Sequence, residues 1–462
     1  MPFSVREIDP ERKFCQELRM EALQAVIPQE TIRRVLTEAP VPPTRERKLT
    51  LTVVVWVVIV MHLYPRVAIG DLLAKIGHGL RLIWPGGPAA LPAPSALTYR
   101  RYQLGARPLV ALFHAVCRPL ALPHTRGAFL GGLRLMAMDG SIKDVPDTPE
   151  NDRAFGRHGT DRGQAAFPQL LLVTLTECGT HAVVDAGCWP CHTSERLGAS
   201  RLLRSVGPGT LLMVDRGLYS AALVVQSRRR RAHVLFRVPA GVKFPPIRRL
   251  ADGSTLVWLE ETTPAGKKSG KRRRMRLIEY TLTDPARPGY GERHRLLTSL
   301  LDPERFPARE LACAYHERWE IEITIDEQDT HQRLLSQPLR SKKPVGVIQE
   351  VYGLLLSHYA VRSLMHQAAL AADLDPDRLS FVHALRVIED AISDLEMVAP
   401  AQLPWHWLRL IQEIARGRLP ERRPRSNPRV VKRKMSNFPL KRAQHRHPPR
   451  LCGPFREAVA LI

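Results

Sequence analysis

Apolar side chains in the N-terminal quarter of the chain recur at helical spacing. After Thr31, a residue suited to capping a helix, apolar positions repeat every three to four residues. The segment 49–61 is almost entirely apolar and rich in valine, with a charged residue before it and a histidine after it. Since roughly 17–25 apolar residues are needed to span a bilayer, we predict a buried core helix there, within a helical region from 17 to about 126.

From residue 133 the pattern changes to short apolar runs, which are typical of buried strands. The runs 133–138 and 210–214 end at Asp139 and Asp215, and a glycine follows each aspartate within two residues. Ligands bind at the carboxyl ends of strands in open α/β sheets, so both aspartates are candidate metal ligands. An aspartate next to glycine is also a common turn. Further predicted elements are strands at 167–177, 181–187 and 233–239 and helices near 195–206 and 219–230.

The segment 240–307 is polar, and glycine and proline punctuate its strand candidates. We predict a β-rich insertion there, with strands at 255–259 and 276–282. Helical spacing returns at 345–372 and continues in a stretch near 381–392. From residue 416 the chain is rich in arginine, lysine and proline, which predicts an extended, partly disordered arm that follows DNA.

The segment 308–337 contains no proline or glycine. Its residues 320–325 alternate with period two, as in a half-buried strand, but the whole segment is far longer than a strand, so we predict one helix. Tyr315, Arg318 and Glu322 would then share one stripe of that helix. A carboxylate beside a phenol and a guanidinium suits a metal ion held next to a phosphodiester. A solvated surface face is the alternative for this stripe taken alone.

Three motifs in this order resemble those of the DDE transposases of bacterial insertion sequences. More narrowly, they resemble those of the insertion-sequence-four branch, which carries a Tyr-Arg-Glu-Lys signature. The resemblance extends from about residue 31 to about residue 442. The motifs are Asp139-Gly140-Ser141 with Val145-Pro146-Asp147-Thr148-Pro149, Val214-Asp215-Arg216-Gly217, and Tyr315-His316-Glu317-Arg318-Trp319-Glu320-Ile321-Glu322.

The resemblance implies an α/β protein whose ribonuclease-H-like catalytic fold is interrupted by the β-rich insertion, with a helical N-terminal domain and a basic C-terminal tail. The predicted domains are a helical domain that binds DNA ends at 1–126, the two parts of the catalytic domain at 127–239 and 308–400, the insertion at 240–307 and the basic region at 401–462.

The implied function is cut-and-paste DNA transposition, in which the enzyme cleaves the insertion-sequence ends and transfers the strands into a target. Asp139, Asp215 and Glu322 would be the catalytic residues and would hold two Mg²⁺ ions, with Mn²⁺ as a substitute and Asp139 bridging both. One ion would lower the pKa of a water or a DNA 3′-hydroxyl, and the other would stabilise the departing oxygen. A catalytically inactive DNA-binding relative, or a nuclease of the same fold, is the alternative.

The signature lysine is absent, because its position is held by Asp329, whose charge would repel a phosphate. This substitution leaves open whether this copy is active. The resemblance makes Tyr315 and Arg318 the residues that hold the scissile end. The other candidate DNA-binding residues are Arg216 beside the second aspartate, Arg333, Lys342 and Lys343 as sources of the missing cation, and Lys432, Arg433 and Lys434 in the tail.

The net charge of +24 and a pI near 10.3 favour a nucleic-acid partner. Cationic clusters lie at 228–231, 267–276 and 422–442. We predict double-stranded DNA, as the element's terminal repeats and as the target, and the resemblance implies a homodimer in a synaptic complex. Charge alone does not exclude RNA.

Seven scattered cysteines argue against a disulfide framework. With neither an export pattern at the N-terminus nor a membrane span, we expect a cytoplasmic, nucleoid-associated protein. The run Cys188-Trp189-Pro190-Cys191-His192 matches the haem-attachment pattern, and its first four residues match a redox pair. Haem attachment of this kind requires export, and the surroundings lack a thioredoxin-like pattern, so we predict a structural role. A zinc finger is not predicted, since no second cysteine pair follows at finger spacing.

Overall fold

The structure is a computed structural model that describes residues 3–9, 11–39, 49–84, 91–160, 163–263, 266–334, 337–420, 440–446 and 449–462. Its α-helices are α1 Phe14–Glu17, α2 Glu21–Gln24, α3 Gln29–Glu38, α4 Leu51–Val60, α5 Leu72–Ile76, α6 His78–Ile83, α7 Pro94–Leu104, α8 Arg107–Val116, α9 Pro149–Phe155, α10 Glu195–Leu202, α11 Ala221–Arg229, α12 Ala308–Glu317, α13 Glu320–Asp326, α14 Pro344–Ala371, α15 Phe381–Met397, α16 Leu403–Arg416 and α17 Phe455–Ala458.

The strands are β1 Phe129–Leu130, β2 Leu133–Asp144, β3 Gly159–Thr160, β4 Gly163–Gln164, β5 Gln169–Glu177, β6 Val183–Pro190, β7 Thr210–Val214, β8 His233–Arg237, β9 Pro246–Arg249, β10 Thr255–Thr262, β11 Lys268–Leu282, β12 His294–Thr298 and β13 Val459–Leu461. The chain forms two compact units. The first contains Met1–Ala128, Asp139–Leu202 and Glu320–Leu419, and the second contains Phe129–Met138, Leu203–Trp319 and Pro420–Ile462.

The first unit is built around α14, a 28-residue helix that is buried on nearly all sides. Helices α4, α7, α8, α15 and α16 pack against it. α4 begins at a Thr50 cap, whose side chain accepts a hydrogen bond from the Val53 N–H at 3.3 Å, and all its residues from Val53 to Val60 are buried. A side chain at Gly353 would meet the Val58 carbonyl oxygen at 2.4 Å, so glycine is what allows α14 and α4 to approach so closely. The core-helix prediction is confirmed.

The second unit is a sheet with strand order β2-β7-β8-β12-β11-β10-β9. β2, β7 and β8 are parallel, and their buried apolar runs match the continuous patterns seen in the sequence. The later strands are antiparallel, and the predicted β-rich insertion supplies β9 to β12. The predicted order of strand, helix, strand, helix and strand from β6 to β8 is confirmed.

Three sequence predictions are wrong in detail. The single helix over 308–337 is broken, because α12 ends at Glu317 and α13 begins at Glu320. The β-branched residues of α13 are mediocre helix formers, and the buried Glu320 accepts a hydrogen bond from the Gly179 N–H. The wide helical turn Glu327–His331 then ends the segment.

The other two corrections concern β2 and the C-terminus. β2 continues through Asp144, so Asp139 lies inside the strand and not at its end. The C-terminal residues do not continue as an extended arm, because α17 forms and β13 pairs with β11 from Tyr280 to Leu282. This last segment is apolar where the preceding tail is basic, so a composition averaged over both parts concealed it. Residues 421–439, which contain most of the basic tail, lie outside the described residues.

Candidate active site

Asp139 lies in the middle of β2, at the point where the strand emerges from the core. The four preceding residues are buried, and Asp139 and Gly140 are partly exposed. The Asp139 Oδ1 accepts a hydrogen bond from the Gly140 N–H at 2.9 Å. A Cβ atom at Gly140 would lie 1.9 Å from Oε1 of Glu195, the first residue of α10. The glycine therefore makes room for a second carboxylate beside the first motif, a residue that the sequence did not single out.

Asp215 follows directly after β7, as the sequence predicted. Its Oδ1 accepts hydrogen bonds from the N–H groups of Gly217 at 2.9 Å and Leu218 at 3.1 Å. Within the part of the chain that the structure describes, its Oδ2 accepts no hydrogen bond. The carboxylate is thus oriented by backbone amides through one oxygen, and the other oxygen remains available to a cation. Arg216, the candidate DNA contact beside it, is exposed.

Tyr315 anchors α12 to the end of β7. Its side chain is 8% exposed, and its hydroxyl donates a hydrogen bond to the carbonyl oxygen of Val214, the residue before Asp215, at 3.3 Å. Burial raises the pKa of Tyr315 to about 12, although Arg318 and Arg237 oppose the shift, so the phenol is neutral near pH 7. The Arg318 guanidinium lies 5.7 Å from the ring centre. The structure therefore brings Tyr315 and Arg318 together beside the Asp215 loop.

Glu322 is partly exposed on α13, and the buried side of this helix holds it in place. Glu320, Ile321 and Thr324 are buried. Glu320 accepts a hydrogen bond from the Gly179 N–H, and its Oε2 lies 3.7 Å from the His181 Nε2. The alternation of 320–325 in the sequence therefore does not match the burial, because the polar Glu320 and Thr324 are buried whereas the apolar Ile323 and Ile325 are partly exposed.

His181 belongs to a buried group of charges that continues beyond Glu320. Its Nε2 lies 3.1 Å from Asp377, and its Nδ1 lies 3.7 Å from Glu327. Glu327 in turn pairs with His358 at 2.9 Å and with Arg362. Burial and Arg362 lower the pKa of His181, but Asp377 and Glu327 outweigh them and raise it to about 9. α13 is therefore fastened at both ends by ionic contacts.

Asp329, which replaces the signature lysine, has its charge compensated within the protein. The Lys143 Nζ donates hydrogen bonds to both carboxylate oxygens at 2.7 Å, and the Arg333 Nη1 donates one at 2.8 Å. The side chains of Lys143 and Asp329 are 1% and 19% exposed. The prediction from the sequence that Asp329 would repel a phosphate did not account for these two cations, which compensate its charge. Arg333 is itself occupied by this contact.

Lys143 was not predicted as a site residue, although the sequence carries a signal for it. Lys143 follows Asp139 by four residues in the same strand, and side chains at even spacing lie on the same face. A lysine that a strand carries into the core needs an acidic partner there. The prediction that β2 ends at Asp139 concealed this relation.

Comparison with known proteins places the chain in a family. Residues 17–114 match the model for the insertion element 4 transposase N-terminal region, and residues 130–359 match the model for the transposase DDE domain. The transposase InsG for insertion sequence element IS4 of Escherichia coli (strain K12) is 32% identical over 422 residues, covering 89% of this chain and 91% of that protein. The chain belongs to the insertion-sequence-four family of DDE transposases.

Two further comparisons are weaker. The putative transposase InsZ of Escherichia coli (strain K12) is 27% identical over 216 residues, covering 46% of this chain and 69% of that protein. A cryo-EM structure of the piggyBac transposase synaptic complex with hairpin DNA covers 88% of this chain and 86% of that chain, with 10% identity and a TM-score of 0.43.

Family membership confirms three predictions made from the motifs. The protein is a DNA transposase, its fold is of the ribonuclease-H-like α/β class with a large sheet, and it carries the DDE domain of this enzyme class. DDE transposases act on DNA with divalent metal ions. Carboxylates are the ligands that Mg²⁺ and Mn²⁺ prefer, and partly exposed acidic residues such as Asp139, Asp215 and Glu322 fit such ions.

The remaining candidate DNA contacts of this transposase differ in setting. Lys342 and Lys343 are exposed, with the Lys343 Nζ 4.9 Å from the centre of the Tyr102 ring. Thr148, from the motif that follows Asp139, donates a hydrogen bond to the Lys342 carbonyl oxygen at 2.9 Å. Lys432, Arg433 and Lys434 lie outside the described residues.

The insertion of this transposase carries a groove of about 440 Å³ between the start of α11 and strand β10. Phe244 and Trp258 line it, together with the cationic side chains of Lys243, Lys268 and Arg272. Aromatic faces beside cations suit stacked bases and their phosphates.

Among the described ranges, no helix combines the length and apolar character that crossing a membrane requires.

Proposed function

We propose that this transposase cuts the ends of its own insertion sequence and joins the freed 3′-hydroxyls to a target DNA, by a cut-and-paste route. Asp139, Asp215 and Glu322 would hold two Mg²⁺ ions, for which Mn²⁺ can substitute. When bound, such ions activate the attacking oxygen and stabilise the departing one. We propose that the substrate is double-stranded DNA, both as element ends and as target. We also propose that the protein acts in the cytoplasm.

One observation carries the assignment of the two aspartates. Ala137 and Met213 are register partners in the parallel strands β2 and β7. Asp139 follows Ala137 by two residues and Asp215 follows Met213 by two residues, so the two aspartates stand at equal offsets from a pair of register partners. Equal offsets of this kind suit two carboxylates that bind the same cation.

Backbone and side-chain groups of the protein orient the carboxylates. The N–H groups of Gly217 and Leu218 fix one oxygen of Asp215, and the Tyr315 hydroxyl fixes the backbone just before it. The buried contacts of Glu320 hold the helix on which Glu322 stands. These contacts restrict the carboxylates before DNA arrives, which lowers the cost of reaching the reactive arrangement.

DNA binding would use the exposed cations. β11 carries exposed Lys271, Arg272 and Arg274, and exposed arginines stand at the end of α11. We propose that duplex DNA contacts these side chains through its phosphates and that unpaired bases near a cleaved end stack in the groove at Trp258. Because an element has two ends, two copies of the chain would act together as a homodimer.

The test is an end-cleavage assay with the full-length protein and duplexes taken from the DNA that flanks the gene. Asp139→Ala and Glu322→Gln should lose Mg²⁺-dependent nicking and strand joining but retain duplex binding in Ca²⁺. Glu304→Gln, which changes an exposed acid in the loop before α12, should cleave like the parent. Undiminished nicking in the first two variants would refute the assignment of these carboxylates.

A further inference from the structure

A second set of metal-binding side chains lies in the first unit, and it contains none of the three carboxylates. His158 follows α9, and Cys191 and His192 follow β6. One ligand atom from each of the three residues lies within 4.8 Å of the others. Cys191 is 3% exposed, whereas His192 is exposed. We infer that His158, Cys191 and His192 bind a zinc ion.

Backbone contacts hold the two segments together without any metal. The Cys191 N–H donates a hydrogen bond to the Phe155 carbonyl oxygen at 2.9 Å, which joins the end of β6 to the end of α9. Within the loop after α9, the Ala165 N–H donates a hydrogen bond to the His158 carbonyl oxygen at 2.9 Å. The imidazole rings of His158 and His192 meet edge to face, with centroids 6.0 Å apart. Backbone hydrogen bonds therefore position the chain at Cys191 and His158, and the two imidazole rings contact each other without a metal.

Gly156 gives the cluster its shape. Its φ of +73° lets the chain reverse after α9, a conformation that favours glycine. A Cβ atom there would lie 3.0 Å from the His192 Nε2 and 3.6 Å from the Cys191 Sγ. A side chain at this position would therefore press against two of the three ligand residues.

The ligand atoms of this cluster, one sulfur and two imidazole nitrogens, favour zinc. Thiolate and imidazole are the ligands that zinc prefers in proteins, at about 2.3 Å and about 2.0–2.1 Å, whereas Mg²⁺ prefers oxygen. Three ligands leave a fourth tetrahedral position for water. Burial raises the pKa of the Cys191 thiol, so zinc binding would displace its proton into solution.

The neighbouring cysteine does not take part. Cys188 lies in β6, where it pairs with Leu172, and it is absent from the cluster of ligand atoms in the described residues. Burial raises the pKa of Cys188 to about 12, although the nearby Lys143 opposes the shift. The run from Cys188 to His192 therefore supplies two zinc ligands rather than a redox pair, and the third ligand comes from a loop that sequence spacing did not connect to it.

The bound ion would fasten the loop after α9, with its β3–β4 hairpin, to the end of β6. This role is structural and separate from the divalent ions that act on DNA. It predicts that zinc raises the thermal midpoint of the metal-free protein without replacing Mg²⁺ in cleavage.

The test is a titration of the metal-free, full-length protein with Co²⁺ in the presence of excess Mg²⁺. The parent should bind one equivalent, show a thiolate-to-cobalt charge-transfer band, and release the cobalt to Zn²⁺. Cys191→Ser should lose the band, and His192→Asn and His158→Asn should weaken binding by about tenfold or more. Cys188→Ser is the matched control and should behave like the parent.

Three results would overturn the inference: no thiolate band in the parent, a band that persists in Cys191→Ser, or a band that disappears in Cys188→Ser. Because Cys191 is buried, its replacement can disturb folding. His192 is exposed, so His192→Asn keeps the test decisive, and unchanged cobalt affinity in this variant would also refute the site.

Discussion

Asp215 and Asp329 are both partly exposed carboxylates in motifs of the same enzyme, but their surroundings give them different roles. Backbone N–H groups hold one oxygen of Asp215, and these donors carry no net charge to cancel its own. Two cations hold Asp329, and one of them, Lys143, is almost completely buried. An acid oriented by amides keeps its attraction for a metal ion, whereas the charge of an acid paired with a lysine and an arginine is compensated within the fold.

The largest expected effect separates these two roles directly. Asp215→Asn should nearly abolish cleavage of an element-end duplex in Mg²⁺, whereas Asp329→Asn should retain most of the activity at a temperature where it is folded. Loss of a metal ligand removes several kcal/mol of transition-state stabilisation, or about a thousandfold in rate. Single-turnover cleavage measures both variants. Equal losses would mean that Asp329 belongs to the reaction.

Restoring the signature residue should harm this chain. Asp329→Lys would place an ammonium group against the buried Lys143 and should lower the free energy of unfolding by about 3–5 kcal/mol, as expected for an uncompensated buried charge. Urea denaturation of the full chain measures the change. Adding Lys143→Met to the same variant should recover most of the loss. A lysine variant as stable as the parent would contradict the ion-pair interpretation.

The group around His181 predicts a pH dependence. Its pKa is raised to about 9 in the folded chain, so its stabilising contribution is complete below the unfolded pKa of about 6.5 and disappears as the pH rises through 9. The free energy of unfolding should fall by on the order of 2 kcal/mol between pH 7 and pH 10. Denaturation of the parent and of His181→Gln at both values isolates this contribution, because the variant should show a smaller fall.

The smallest effect concerns Tyr315. Tyr315→Phe removes the hydrogen bond to the Val214 carbonyl oxygen and should cost about 1 kcal/mol of stability, with DNA affinity nearly unchanged. Tyr290→Phe, at an exposed tyrosine of the second unit, serves as the control for denaturation and binding. A large loss of affinity at constant stability would instead support the phosphate contact that the sequence predicts.

The sequence predicted elements well where one physical signal dominated. The apolar 49–61 run became the buried α4, and the strand before Asp215 ends where the apolar residues end. Prediction failed where tertiary contacts decide. Gly140 looked like a turn residue but continues β2, with the Glu195 side chain in the space that a side chain would occupy.

The candidate site residues show the same limit of prediction from sequence. The residues of the three motifs could be found by their order and spacing. Lys143 and His158 were not predicted, because the side chains they meet are distant in sequence: Lys143 contacts Asp329, and His158 lies beside Cys191 and His192. Spacing along a helix or strand reports neighbours on one element, and it carries no information about which elements meet.

The wide turn at Glu327–His331 affects how relatives of this chain should be aligned. The Gln332 N–H donates to the Glu327 carbonyl oxygen at 3.1 Å, so this turn spans five residues instead of four. Every later side chain is rotated relative to a regular helix that starts at Glu322. The position seven residues after Glu322 therefore defines a column in an alignment, but it does not define the direction in which the side chain points. Substitutions at that column should be compared only between chains that share the widened turn.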